Sequence, residues 1–238
     1  MKKAFTLAEV LIVLGIVGVV AALTLPSLIT NYKVKVLEAR FKKADAVLQQ
    51  ALLRTSNEVG YDSFNKLYTI TPNGELGRML PEINKAWEKQ FEGATTFSNG
   101  ISYLFGKGVR FHDMFGNEWP GHVSNYFPAI NDDRAIITKD GTMFSYFAVA
   151  DIAGQRYLTL KFDTNGPFKG PNRVGYDIFI FNSFNIDFNS LCNPTLNHSE
   201  NQKGCYNYAH RGISPVDSSK PYWDILYKSR AWWNKNGK

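Results

Sequence analysis

Three oxygen-bearing side chains, Asp163, Asn165 and Asp177, stand in one Gly- and Pro-rich stretch, Asp163-Thr164-Asn165-Gly166-Pro167-Phe168-Lys169-Gly170-Pro171-Asn172-Arg173-Val174-Gly175-Tyr176-Asp177. Carboxylate and amide oxygens are what Ca²⁺ takes, so this set could hold that ion, although its spacing is not that of an EF-hand. The same residues also suit a rigid turn. There Gly and Pro fix the path of the chain, and Asn and Asp cap backbone groups.

Elsewhere the chemistry is sparse. The histidines are His112, His122, His198 and His210. None belongs to a HExxH motif, and none stands at zinc-finger spacing from a cysteine. There is no Gly-x-Ser-x-Gly elbow and no phosphate-binding loop. His112-Asp113 could form half of a catalytic pair, but such a pair is far more often a solvated loop. Tyr222, Trp223, Trp232 and Trp233 could stack on a sugar or a base. Packing of the C-terminus onto a sheet or a neighbouring chain is the simpler account. Read this way the chain is not an enzyme and needs no cofactor, calcium aside.

The remaining chemistry-bearing residue is Glu9, and its setting is what makes it notable. Every residue from Val10 to Leu23 is apolar or Gly, and Glu9 is the one charge between Phe5 and Leu25. As a helix, 5–25 would extend about 30 Å, enough to cross a bilayer core. Lys2 and Lys3 in front of it favour a cytoplasmic N-terminus. A carboxylate this close to the start of a membrane segment is costly without a partner. A cleaved secretory signal is one account, with Val20-Ala21-Ala22 offering small residues for the cut. Signal cores are shorter, however, and do not normally carry an acid near their start. A plain single-span anchor fits the length and leaves Glu9 without a role.

Lys3-Ala4 followed by Phe5-Thr6-Leu7-Ala8-Glu9 resembles the N-terminal signature of type IV pilins and of the pilin-like subunits of type II secretion systems. The resemblance implies cleavage of leader 1–4 between Ala4 and Phe5 and methylation of the new N-terminus. It implies that Glu9 pairs with the N-terminal amine of a neighbouring subunit, and that Pro26 loosens the helix. Ala4 stands where the family usually has Gly. The stretch from Asp163 to Asp177 is a second match, since many pilin-like subunits carry an Asp-x-Asn-Gly, Gly-Pro-Asn, Gly-x-Asp pattern there. The implied partners are a prepilin peptidase/methyltransferase, other pilin-like subunits, an inner-membrane assembly platform and membrane lipid. The implied location is the cytoplasmic membrane, with the head outside it, followed by a surface or periplasmic filament. An anchored binding domain that never polymerises is the alternative, and an anchored enzyme a more remote one.

The rest of the chain must supply a body for that helix. Leu37, Phe41, Ala44, Leu48 and Ala51 recur every three or four residues, forming one apolar stripe on a helix. No Gly or Pro interrupts Ser27 to Val59, so 5–59 reads as one helix, with 5–25 in the membrane and 27–59 amphipathic. Pro26 removes a backbone donor and should kink or loosen the join. Residues 60–238 then form the head. A short helix is expected over Glu82–Phe91 with Pro81 at its first position, and a short strand over Val109–Phe111. Ala135–Thr138 and Thr142–Val149 flank Lys139-Asp140-Gly141 as a hairpin. Tyr157–Phe162 alternates Leu158, Leu160 and Phe162 on one face, and Asp177–Phe181 is a further strand. The expected class is α+β, a long helix against an antiparallel sheet.

The formal net charge is +6, of which Lys2 and Lys3 supply two. No run of five like charges points to nucleic acid. Cys192 and Cys205 are the only cysteines. Behind an export signal they read as a disulfide closing a C-terminal loop, as family members often have.

Overall fold

The structure, a computed structural model, describes residues 6–64, 66–67, 76–98, 100–114, 116–118, 134–152, 155–183, 192 and 205–224. Its first element, α1, runs unbroken over Leu7–Glu58, 52 residues, or about 78 Å at helical rise. Thr6 caps its start. The helix continues through Pro26, with three hydroxyls bonding nearby carbonyls. Thr24 donates to Val20 O at 2.9 Å, Ser27 to Thr24 O at 3.1 Å and Thr30 to Pro26 O at 2.9 Å. The helix is thus uninterrupted at Pro26, the residue expected to kink or loosen it. What remains there is one missing amide in a segment whose side chains compete for backbone acceptors.

The head begins at Val34. All five residues of the sequence stripe are buried, joined by Val34, Leu52, Thr55 and Ser56. They cover one face of a six-stranded antiparallel sheet. Its strands are β1 (Thr95–Phe97), β2 (Ala135–Ile137), β3 (Met143–Ser145), β4 (Ala148–Ile152), β5 (Gln155–Asp163) and β6 (Ile178–Asn182). Side chains alternate as strand geometry requires. Ile136, Phe144, Leu158, Leu160, Phe162 and Phe179 join α1 in the main core. Ala135, Met143 and Ile178 face the other way, onto a smaller cluster with Leu104, Val109, Phe111 and Val174. Phe41 links helix to sheet, its ring 4.5 Å from Phe179 and 5.5 Å from Trp223.

The single strand expected over Thr142–Val149 is two. Phe144 pairs with Phe162, while Ala148 pairs with Thr159. Three residues on one side thus oppose two on the other, a β-bulge. Asn84, 2% exposed, completes it. Its Nδ2 donates to Phe147 O at 3.0 Å, and its Oδ1 accepts from Phe147 N at 2.8 Å. Asn84 belongs to α2 (Leu76–Lys89), which starts earlier than the expected Glu82 and encloses Pro81. Leu76 is buried in the main core, and the proline leaves one helix hydrogen bond unmade. One other expectation fails. Val109–Phe111 is not a strand; it leads to His112, which forms isolated bridges with Glu118 and Arg173. A short helix, α3 (Gly100–Gly106), comes before it in the chain.

The C-terminal stretch, expected as a disulfide-closed loop, also holds a helix, α4 (Cys205–Arg211). Cys205 opens it and is bonded to Cys192, with the Cα atoms 4.8 Å apart. Tyr222 and Trp223 are buried and pack on Phe179, which settles their role as core. Trp232, Trp233, His122 and His198 lie outside the described residues, as do Ala4 and Phe5.

Candidate functional site

Two places carry the residues singled out by the sequence. The first is the start of α1. Thr6 and Glu9 form a capping box: Glu9 Oε2 accepts from Thr6 N and from Thr6 Oγ1, both at 2.8 Å, and Glu9 N donates to Thr6 Oγ1 at 3.3 Å. Such a box satisfies amides that a helix start leaves open. The Glu9 carboxylate is thus bound within its own first turn and fully exposed. Every residue after it up to Ile29 is exposed, save the half-exposed Ala21. Among the described residues, this is the one helix long and apolar enough to cross a membrane. A solvent-facing surface of that size is made to be covered.

The second place is the loop between β5 and β6, where Asp163, Asn165 and Asp177 come together. Asp163 Oδ1 accepts from Asn165 N at 3.0 Å and Gly166 N at 2.9 Å. Asp177 accepts from Asn172 N at 2.8 Å and Arg173 N at 2.6 Å, one on each oxygen. Asn165 Nδ2 crosses the loop to Gly170 O at 2.7 Å. Asn172, in the left-handed region at φ 51°, donates from Nδ2 to Pro167 O at 2.8 Å and Arg110 O at 3.1 Å. Gly166 is forced by contact: a Cβ there would stand 2.2 Å from Gly141 O in the β2–β3 turn.

Both carboxyls are held above the usual carboxylate range. For Asp163 the main cause is burial, followed by the charge of Asp177. Asp177 is pushed up to about 6 by burial, against the pull of its backbone donors. The turn reading of these residues is therefore realised for Asp177, each of whose oxygens accepts a backbone amide. Asp163 Oδ2 and Asn165 Oδ1 have no hydrogen-bond partner. No three side chains of His, Cys, Asp or Glu gather at a metal-holding distance among the described residues, so a zinc-like centre has no ligand set there.

No protein-family model, curated protein or solved structure matches this chain.

His112-Asp113 sits beside the β5–β6 loop. The Asp113 carboxylate caps Asn117 at 2.8 Å through both backbone and side-chain nitrogens, and His112 N donates to Asn172 O at 2.8 Å. Sequence reasoning missed a different pair. Asp45 on α1 accepts from Tyr206 Oη at 2.6 Å and faces His210 Nδ1 at 2.8 Å, while Gln49 donates to Tyr206 Oη at 2.7 Å. The Asp45 hydrogen bond raises His210 above its ordinary value. This network clamps α4 onto α1. A polar Asp45 beside the apolar stripe was its only trace in the sequence.

Proposed function

We propose that the chain is a pilin-like structural subunit. It is cut before Phe5, methylated there, and assembled into a filament through the N-terminal half of α1. The observation that carries this reading is one continuous helix whose second half holds the head while its first half is apolar, uncovered and marked by a single acid at its start. In the membrane, lipid covers that half; in a fibre, the same half of neighbouring subunits does. The head remains outside the bundle. Pilus and secretion pseudopilus are both served by this design.

Glu9 gives the assembly its register. An unpaired charge inside an apolar bundle costs several kcal/mol. A positively charged N-terminal amine on an adjacent subunit offsets that cost only at a particular axial offset. Glu9→Val is expected to leave the protein inserted and folded, yet depleted from sheared filaments relative to the membrane pool. Glu9→Asp keeps the charge with shorter reach and is expected to assemble in part.

A second reading has its own support. The capping box satisfies Glu9 without any neighbour, which is what a non-polymerising anchor requires. Glu9→Val assembling as well as the parent would favour that anchored extracytoplasmic domain.

A further inference from the structure

Just past the uncovered half of α1 stand two cations with no counter-charge. Val10–Ile29 carries no charge and extends about 30 Å as a helix, the thickness of a bilayer core. Tyr32, Lys33 and Lys35 follow it, all exposed. The helix does not stop between them, so about 6 and 9 Å of rise separate Ile29 from Lys33 and Lys35. The headgroup layer on each side of a bilayer is roughly 5–8 Å deep. Around the helix axis, Lys33 and Lys35 lie about 100° to either side of Val34, the first residue buried under the head. They therefore flank the place where the head begins rather than facing it. Neither has an ion-pair partner among the described residues. The acids of α1 are taken. Glu9 is bound by Thr6, Glu38 by Lys42, Asp45 by Tyr206 and His210, and Glu58 by Lys89. With Lys2 and Lys3 on the cytoplasmic side, lysines at this end also run against the bias that keeps positive flanks inside. Their presence there requires a negative partner from outside the helix.

We propose that Lys33 and Lys35, with Tyr32, form a collar that binds the phosphates of anionic phospholipids in the outer leaflet and so fixes how deep α1 sits. This rests on the membrane-inserted reading of α1, which the filament subunit and the plain anchor share. A lysine lays its apolar stem along the hydrocarbon edge and keeps its ammonium among the phosphates. A tyrosine ring settles at the same level. An anionic surface favours each such charge by roughly fivefold in association. With the collar seated, Val34 stands at the membrane surface and the head rests on it. A second copy of the chain is the competing occupant. In a parallel bundle it would bring the same helix, whose acids past the span are held by Lys42, His210 and Lys89. An anionic lipid brings an open phosphate instead, at the depth where the lysines lie.

The full chain is reconstituted in phosphatidylcholine vesicles, and its insertion is checked by flotation after an alkaline carbonate wash. Spin-labelled phosphatidylglycerol and spin-labelled phosphatidylcholine are then compared in the lipid shell around it by electron spin resonance. Phosphatidylglycerol should be preferred, by up to roughly fivefold per lysine. The preference should collapse in 1 M NaCl, where the Debye length is about 3 Å. Lys33→Gln with Lys35→Gln should remove it, with insertion and the denaturant midpoint of the head as in the parent. Lys33→Arg with Lys35→Arg should keep it. The same loss of charge on α2, Lys85→Gln with Lys89→Gln, should leave it intact, since Lys89 meets Glu58 at the far end of α1. Equal retention of the two lipids by the parent would overturn the proposal and leave the assembly reading untouched, as would a preference that survives Lys33→Gln with Lys35→Gln. No lipid preference in the parent, together with loss of sheared filaments in that variant, would assign the lysines to a neighbouring copy and overturn the choice of lipid. A parent chain that does not float with the vesicles would remove the span, and both readings with it.

Discussion

The two halves of α1 share one backbone and answer opposite demands. From Val34 onward, the apolar residues fall on one stripe and are buried by the sheet. Before Ile29 they fall on every side, and all but the half-exposed Ala21 are exposed. A helix that is apolar all round calls for cover all round, and among the described residues none before Val34 in this helix is buried. The second half is therefore explained by this chain's own packing, whereas the first is long and apolar enough to cross a membrane. The two carboxylates closest to each problem follow the same division. Glu9 is exposed among apolar neighbours and bound by its own turn; Asp163 is buried in the head and only half satisfied.

The sharpest way to separate the halves is to damage one. Phe41→Ala removes the ring that meets Phe162, Phe179, Tyr206 and Trp223. It should destabilise the head by about 3–5 kcal/mol, seen as a lower midpoint in denaturant, with membrane insertion unchanged. Loss of insertion together with the head would mean that the halves are not independent.

Next in size is the disulfide. Cys192→Ser with Cys205→Ser opens a loop with a sequence separation of 13, worth about 3 kcal/mol in the chain-entropy model. The loss should appear in head stability and should equal that of the reduced parent. Non-reducing peptide mapping that finds free thiols in the native protein would contradict the bond itself.

The smallest effect is the pH response of the head. His210 has a folded pKa above its ordinary value, so its bond to Asp45 stabilises fully below pH 6.5 and fades as pH rises through the raised value. Asp163 and Asp177 are also raised. Their contribution is complete below the ordinary Asp range and is lost as pH climbs, for Asp177 through about 6. All three act in the same direction, so the midpoint should fall between pH 5 and pH 8. His210→Phe should remove part of that slope, under about 1 kcal/mol because the ring is partly solvated. A midpoint that rises with pH would contradict these assignments.

Much of this was legible in the chain. The stripe from Leu37 to Ala51, the Asp140-Gly141 turn and the alternation of Leu158, Leu160 and Phe162 are local patterns, and local patterns set elements. What escaped reading is non-local. The break between β3 and β4 is held by Asn84, 63 residues from Phe147. α4 is only seven residues long and owes its place to a disulfide and to Asp45, 165 residues from His210. In the β5–β6 loop the residue types gave the neighbourhood but not the roles. That Asp177 holds two amides depends on where the backbone of Asn172 turns, and a left-handed Asn is not announced by its neighbours.

The central claim is that the uncovered half of α1 is an assembly element made by processing. It is tested most directly by the mass of the mature N-terminus, taken from membranes and from sheared material. The account predicts a chain beginning with N-methylated Phe5, carrying Thr6 and Glu9 at its second and fifth positions. A chain beginning at Leu23 would mean that the apolar half is a discarded export signal, and would contradict the claim outright.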